Sequence, residues 1–180
     1  MIDEADLIKA CISNDTKAQR TLYEKYHSRM YSLCLRYSNT QISAEDLLQE
    51  GFIVIFSKLR SYTGNGSFEG WMRKIFVNTA LMQLRKSDVM KDAADIDLHT
   101  GSASFDEDLL EKIDGKQIFS LIMSMPHGFR VVFNMFVFEG FSHQEIAKEL
   151  NITEVTSRSQ LNRARNWLQK RIINLEKEIR

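Results

Sequence analysis

Apolar residues recur along this sequence at the spacing of an α-helix, and this pattern most limits the folds available to it. Two such stripes comprise Leu22, Tyr26, Leu33 and Tyr37, and Leu48, Phe52, Ile55 and Leu59. No stretch alternates apolar and polar residues with the two-residue period of a β-strand. Hydrophobic residues make up 43% of the chain, enough for a packed core, and one proline argues against a turn-rich β-sandwich. The sequence therefore predicts an all-α protein.

Breaks between the stripes divide the first half of the chain into helices. We expect helices over Glu4–Ile12, from about Lys17 to a break at 38–41, from Ser43 onwards, and over Phe68–Arg85. Ser43 is a candidate N-cap because Asp46 follows three residues later, the acidic partner of a capping box. Glycine and polar residues at 62–67 predict a loop.

Residues 86–114 differ from the rest in charge and composition. They carry three basic and nine acidic residues, a net charge of −6, between segments of +2 (1–85) and +4 (115–180) in a chain of zero net charge. Apolar periodicity is lost there as well. This composition is typical of a flexible linker. We therefore expect two small helical domains, 1–86 and 113–180, joined by an acidic linker over 87–112.

The C-terminal domain carries the pattern of a helix–turn–helix. Pro126 is expected in the first turn of an apolar helix over 129–139, which Gly140 ends. Ser142 and Glu145 form a capping box for the next helix, and Asn151 tolerates the left-handed conformation of a tight turn. The order of helix, tight turn and helix favours DNA binding, the alternative being a buried helical hairpin with an incidental polar face.

The helix after this turn has the chemistry of a DNA recognition helix. Leu161, Ala164 and Leu168 share its inner face, with Ser157 in line. On or beside the other face are hydroxyl, amide and guanidinium groups suited to base edges and phosphates, together with one valine: Thr153, Val155, Thr156, Arg158, Ser159, Gln160, Asn162, Arg163 and Asn166. Five basic residues and no acid lie between 155 and 171, whereas a merely solvated face normally mixes both charges.

The third expected helix presents a candidate protein-docking surface. Asp46, Gln49, Glu50 and Ile53 share a face that points away from the apolar stripe. An acidic patch beside an exposed isoleucine fits a docking surface, and a solvated face is the alternative.

The loop at 62–67 and the helix after it form a candidate nucleotide-binding surface. Asn65, Gly66 and Ser67 are small and polar enough for a nucleotide to approach the backbone. A polar stripe of Lys74, Asn78 and Arg85 follows on an otherwise apolar helix. Nearby aromatic residues, Tyr62, Phe68 and Trp71, offer stacking with an unpaired base. Phe68 and Trp71 are alternatively core residues, and for Trp71 we expect the core.

These motifs together resemble a known family. Residues 22–31 (LYEKYHSRMY), 44–52 (AEDLLQEGF), 68–75 (FEGWMRKI) and 78–80 (NTA) resemble conserved region 2 of bacterial sigma factors. Residues 140–147 (GFSHQEIA) and 162–165 (NRAR) resemble their region 4. With these two regions and a short linker, the chain resembles the extracytoplasmic-function (ECF) class.

The resemblance implies a role for each surface. Asp46, Gln49, Glu50 and Ile53 would dock on the β′ clamp helices of core RNA polymerase, whose β flap would be a further contact of the chain. The loop with Lys74, Asn78 and Arg85 would open and read the −10 promoter element. The helix from Thr156 would read the −35 element, and an anti-sigma factor would regulate the protein. Departures from the family pattern at Val155, Ser157, Gln160 and Asn162 alter the base-reading surface.

Two other functions compete with a promoter-specificity subunit. An autonomous transcriptional regulator would use the helix–turn–helix alone and would leave the acidic docking face without a purpose. A sigma mimic that titrates an anti-sigma factor would not need Lys74, Arg85, Arg158 and Arg163, which are all present.

Catalysis, cofactors and membrane insertion are not expected. The four histidines lie in separate contexts without metal-ligand spacing, and Cys11 and Cys34 fit buried thiols of a reducing compartment. No apolar run approaches the roughly 20 residues of a membrane span. We expect a cytoplasmic protein with no metal and no enzymatic activity.

Overall fold

The structure, a computed structural model, describes residues 3–38, 40–86 and 114–179. These ranges contain helices and connecting turns and no strand, which confirms the all-α prediction. They divide into two compact units after Gln83. The expected linker at 87–112 and Ile113 lie outside the described residues. None of the helices in these ranges combines the length and apolar character needed to cross a bilayer.

Four helices account for most of the N-terminal unit, the last of them running past the division. Their bounds are α1 Glu4–Ile12, α2 Thr16–Tyr37, α3 Gln41–Lys58 and α4 Phe68–Lys86, with a 3₁₀ turn at Leu59–Ser61. Every residue of the two predicted apolar stripes is buried, with at most 6% of its surface exposed. The stripes therefore form the core of this unit, as the helical spacing predicted.

The start of α3 differs from the sequence prediction. Thr40 is the N-cap: its Oγ1 accepts a hydrogen bond from the Ser43 backbone N–H at 3.1 Å. Ser43 Oγ in return accepts one from the Thr40 N–H at 3.2 Å, which completes a capping box. The predicted N-cap at Ser43 with Asp46 as partner was wrong, because the extended backbone at Thr40 starts the helix at Gln41.

A glycine allows a close approach between α3 and α4. A Cβ atom at Gly51 would overlap the ring of Phe76. That ring is fully buried and meets Phe52 edge-on, with ring centroids 5.4 Å apart. Any side chain larger than hydrogen at Gly51 would therefore displace the Phe76 ring or the helix that carries it.

The C-terminal unit is built from shorter helices and one long one. Its elements are α5 Gly115–Ser124, α6 His127–Phe133, a π-helical segment Asn134–Phe138, α7 His143–Leu150 and α8 Glu154–Ile179. The single helix expected over 129–139 therefore begins earlier and ends in a π-helical turn. Pro126 has extended backbone and caps α6, so its expected place inside the first turn was wrong by one residue. Gly140 has φ +73°, which fits its predicted role of ending the helix.

Candidate functional site

The connection between α7 and α8 has the geometry predicted for a helix–turn–helix. Ser142 caps α7, and its Oγ accepts a hydrogen bond from the Glu145 N–H at 3.2 Å. Asn151 ends α7 in the left-handed conformation, with φ 54°. Thr153 Oγ1 accepts a hydrogen bond from the Thr156 N–H at 3.0 Å and so caps α8. These local bonds fix the tight turn between the two helices.

Packing determines which face of α8 is available to a ligand. Ser157, Leu161, Ala164 and Leu168 are buried on its inner face, as predicted. The predicted outer residues are exposed (Thr153, Val155, Arg158, Ser159 and Asn162) or half-buried (Thr156, Arg163 and Asn166). Val155 is the most prominent, with 76% of its surface exposed. Gln160 was expected beside this face, but it is buried with 8% exposure because α8 turns it toward the core.

Basic side chains lie along α8 at several positions around its axis. Arg158 pairs with Glu154, with Nη2 and Oε2 3.2 Å apart, in an exposed contact of little energetic weight. Further along, the guanidinium of Arg165 lies 5.9 Å from the centre of the Phe136 ring, and that of Arg171 lies 4.8 Å from the Trp167 ring. Stacking on these rings restrains the two arginines and leaves their charge in place. Positive charge along this helix favours contact with phosphates.

In the N-terminal unit, glycine and one tyrosine shape the loop before α4. Gly64 and Gly66 have φ +79° and +84°, a conformation that residues with a side chain rarely adopt. The Tyr62 hydroxyl donates a hydrogen bond to the Gly66 carbonyl oxygen at 2.8 Å. Ser67 Oγ accepts one from the Gly70 N–H at 3.1 Å at the start of α4. Asn65 is exposed between these anchored positions.

Three aromatic rings lie together at the base of this loop. Trp71 stacks on Phe68, with centroids 5.6 Å apart and planes at 21°, and Tyr62 lies 5.4 Å from the Trp71 ring. Phe68 is buried, but Trp71 and Tyr62 are each partly exposed. Trp71 is therefore half-buried, in contact with Phe68 and Tyr62, and not the fully buried core residue that was expected. A stacking surface is thus available beside the loop.

The predicted polar stripe of α4 is exposed. Lys74 and Asn78 face solvent, whereas the neighbouring Phe76 and Val77 are buried. Arg85 is exposed as well, but its guanidinium pairs with Glu149, with Nη2 and Oε2 3.1 Å apart. Lys74 and Asn78 are one turn apart and continue along the helix from the loop. The loop, the aromatic cluster and this stripe therefore follow one another along the chain from residue 62 to residue 85.

The predicted docking face of α3 is exposed and longer than the sequence indicated. Asp46, Gln49, Glu50 and Ile53 all face solvent, and Ile53 is 68% exposed. Glu50 Oε2 accepts a hydrogen bond from Gln83 Nε2 at 2.5 Å.

Sequence reasoning missed Ile42, which is 72% exposed and precedes Asp46 by one turn. We call Ile42, Asp46, Gln49 and Ile53 the α3 stripe, because their spacing places them on one face of the helix. The sequence signal for Ile42 was its position four residues before Asp46, but a helix that begins at Ser43 excludes Ile42 from this face.

The remaining reactive side chains form no site in the described ranges. Burial raises the pKa of the Cys34 thiol to about 12, so it remains protonated, and Cys11 is buried as well. No group of three metal-ligating side chains lies close together in the part of the chain that the structure describes.

Comparison with known proteins identifies similar sequences along most of the chain. The family model described as Sigma-70 region 2 matches residues 22–89, and that described as Sigma-70, region 4 matches residues 116–168. An ECF RNA polymerase sigma-E factor of Haemophilus influenzae is 26% identical over 183 residues, 96% of each chain. ECF RNA polymerase sigma factor SigE of Mycolicibacterium smegmatis is 30% identical over 157 residues, 82% of this chain and 58% of that protein.

A solved structure has the same fold. It is that of the sigma factor RpoE in complex with the anti-sigma factor NepR from Bartonella quintana, with a TM-score of 0.51 and 20% identity. The match covers 86% of this chain and 96% of that chain.

Proposed function

The chain belongs to the extracytoplasmic-function class of the sigma-70 family, and we propose from this that it confers promoter specificity on RNA polymerase by reading two DNA elements. Proteins of this family are regulatory subunits of transcription initiation and not enzymes. In this proposal the C-terminal unit binds the −35 element, the N-terminal unit opens and binds the −10 element, and the α3 stripe docks on core polymerase.

The main support for −35 binding is the outward face of α8. Ser159 and Asn162 are exposed hydrogen-bonding groups for base edges, and the exposed Val155 suits contact with a thymine methyl group. Arg158 and Arg163 supply positive charge on the same helix. A helix packed through Leu161, Ala164 and Leu168 has only this other side to offer to a major groove.

The −10 function rests on the loop, the aromatic cluster and the polar stripe. A base that leaves the duplex needs a stacking partner and hydrogen-bonding groups at its edge. The partly exposed Trp71 and Tyr62 offer the first, and Asn65 and Asn78 offer the second. Lys74, on the same helix, would contact phosphates, and Arg85 would do so on release from its pair with Glu149.

Protein partners follow from the exposed apolar side chains. Ile42 and Ile53 lie on the same face as Asp46, a combination that suits docking on a basic, partly apolar surface. We assign this face to the clamp helices of the β′ subunit and a second contact, between the C-terminal unit and the β flap, to the same polymerase. The relative from Bartonella quintana was solved in complex with an anti-sigma factor, and we propose a partner of that kind for this chain.

Reconstituted transcription tests the proposal. The purified chain is combined with core RNA polymerase on a library of DNA fragments with randomised upstream sequence, and the transcripts are sequenced. We expect initiation from a subset of templates that share two upstream elements, and no such subset with core enzyme alone.

Two other outcomes would replace the proposal. Specific binding of a DNA duplex by the chain without polymerase would indicate an autonomous regulator. Tight binding of an anti-sigma factor, without any transcription from the library, would indicate a sigma mimic.

A further inference from the structure

A polar pair joins the two helices of the helix–turn–helix from inside. His143, the first residue of α7, shares a hydrogen bond with Ser157 of α8, with Nδ1 and Oγ 2.9 Å apart. Ser157 is fully buried, in line with the apolar residues Leu161 and Ala164. The bond therefore reaches the core of the helix–turn–helix and not only its surface.

Because Ser157 is buried, its hydrogen bond to His143 can fix the orientation of α8. Burying a hydroxyl without a hydrogen-bond partner costs folding free energy. Burying it with a partner favours the one helix orientation in which the bond forms. Apolar contacts alone allow a helix to rotate slightly about its axis, since dispersion forces have little directionality. A hydrogen bond from α7 to one position of α8 restricts that rotation.

The imidazole of His143 is itself held in place. Its ring stacks on Phe136 of the π-helical segment, with centroids 4.7 Å apart and planes at 24°. The guanidinium of Arg165 lies over the same Phe136 ring. Burial and the positive charges of Arg158 and Arg165 lower the pKa of His143, against a smaller opposing effect of Glu154. The shift favours the neutral imidazole, in which one ring nitrogen accepts a hydrogen bond and the other donates one.

We propose that His143 and Ser157 are positioning residues that set the rotation of α8 and thereby select which of its side chains reach the −35 DNA. Thr156 and Arg158, the neighbours of Ser157, belong to the DNA-facing set, so a rotation at Ser157 moves them directly. This inference rests on the proposed function of α8. Neither His143 nor Ser157 contacts DNA in this account.

Two substitutions at His143 test the hydrogen bond. Both remove the imidazole ring, but only one keeps a polar group at the position of Nδ1. In His143→Asn the amide occupies the place of Nδ1 and keeps a bonding partner for Ser157, whereas in His143→Gln the amide lies further out. Each full-length variant is combined with core polymerase on a promoter selected by the wild-type protein and on the same promoter with a scrambled −35 element. The ratio of the two transcription rates is measured.

We expect His143→Gln to lower this ratio by about three- to tenfold, in keeping with loss of one buried hydrogen bond, and His143→Asn to keep it within about twofold of wild type. Equal ratios for the two variants would overturn the inference while leaving −35 binding intact. A wild-type ratio near one would overturn the −35 assignment itself, and this inference with it.

A spectroscopic measurement on the free full-length chain decides the case even where a His143 variant fails to fold. The nitrogen-15 resonance of His143 Nδ1 is expected to shift in Ser157→Ala and to stay unchanged in Ser159→Ala, which removes an exposed serine of the same helix. An unchanged resonance in Ser157→Ala would overturn the inference.

Discussion

The hydroxyl of Tyr62 donates a hydrogen bond to the carbonyl oxygen of Gly66, 2.8 Å away, across the loop that precedes α4. Gly64 and Gly66 in this loop have positive φ, and a Cβ atom added to either would meet no described atom within 4 Å. Side-chain packing therefore restrains the loop little at these two positions. The bond links the loop to the aromatic cluster of Tyr62, Phe68 and Trp71, so preorganisation of the loop depends on the Tyr62 hydroxyl.

Tyr62→Phe should slow promoter opening by about three- to tenfold, because the ring and its stacking remain while the bond to Gly66 is lost. The rate of open-complex formation is measured with a fluorescent base in the −10 element. Tyr31→Phe is the matched control, since it removes a partly exposed tyrosine hydroxyl from α2 of the same unit. Equal rates for Tyr62→Phe and the control would show that the loop needs no such anchor.

The α3 stripe predicts two residues whose loss weakens polymerase binding. Ile42→Ser and Ile53→Ser should each raise the Kd for core enzyme by about tenfold, because each exposed isoleucine would lose an apolar contact of about 1.5 kcal/mol or more. Met82→Ser, at a methionine of α4 that is 56% exposed, should leave the Kd within about twofold. Binding is measured by fluorescence anisotropy of the labelled chain. A larger effect of Met82→Ser than of either isoleucine variant would place the docking surface elsewhere.

Gly51→Ala should destabilise the N-terminal unit by roughly 2 kcal/mol, because the added carbon overlaps the buried Phe76 ring. Urea unfolding is followed by the fluorescence of Trp71 in a Trp167→Phe background, so that the signal comes from this unit. Gly115→Ala in α5, where a side-chain carbon meets no atom within 4 Å, is the control for the general effect of the substitution. Because Gly115 lies in the C-terminal unit, this variant is followed by Trp167 fluorescence in a Trp71→Phe background. An unfolding midpoint unchanged by Gly51→Ala would contradict the packing of α3 on α4.

The lowered pKa of His143 predicts a pH dependence of stability. The unfolded chain binds a proton at this site near the ordinary histidine value of 6.5, more readily than the folded chain does. The free energy of unfolding should therefore fall as pH drops below that value, through the lower folded pKa. We expect His143→Asn to lose less stability than wild type between about pH 7.5 and about pH 5.5. A difference between the two proteins that stays constant over this range would show that His143 does not carry this dependence.

The helix–turn–helix could be predicted from local sequence patterns alone. Ser142 caps α7 and Asn151 has the left-handed conformation, both as predicted, because each depends on residues within one turn of itself. The buried stripes were predictable for the same reason: a 3.6-residue period places Leu22 and Tyr26 on one face regardless of what packs there.

Features set by two competing groups or by tertiary packing were not predictable. Thr40 and Ser43 both have hydroxyls that can cap α3, and only the chain's path shows that Thr40 does so. A serine at position 157 inside an apolar stripe signals that a partner is needed, but the crossing of α7 and α8 decides that the partner is His143. Trp71 looked like a core residue because its helix is apolar, whereas the loop beside it leaves it partly exposed.

The most direct test of the account is whether variants of the two units lose their responses to the two promoter elements independently. Polymerase carrying wild-type, Asn78→Ala or Arg163→Ala chain is assayed on the selected promoter, with either its −10 or its −35 element altered. We expect Arg163→Ala to become insensitive to changes in the −35 element while still responding to the −10 element, and Asn78→Ala to show the reverse. If each variant instead lost its response to both elements equally, the two units would not read separate elements and the central claim would be wrong.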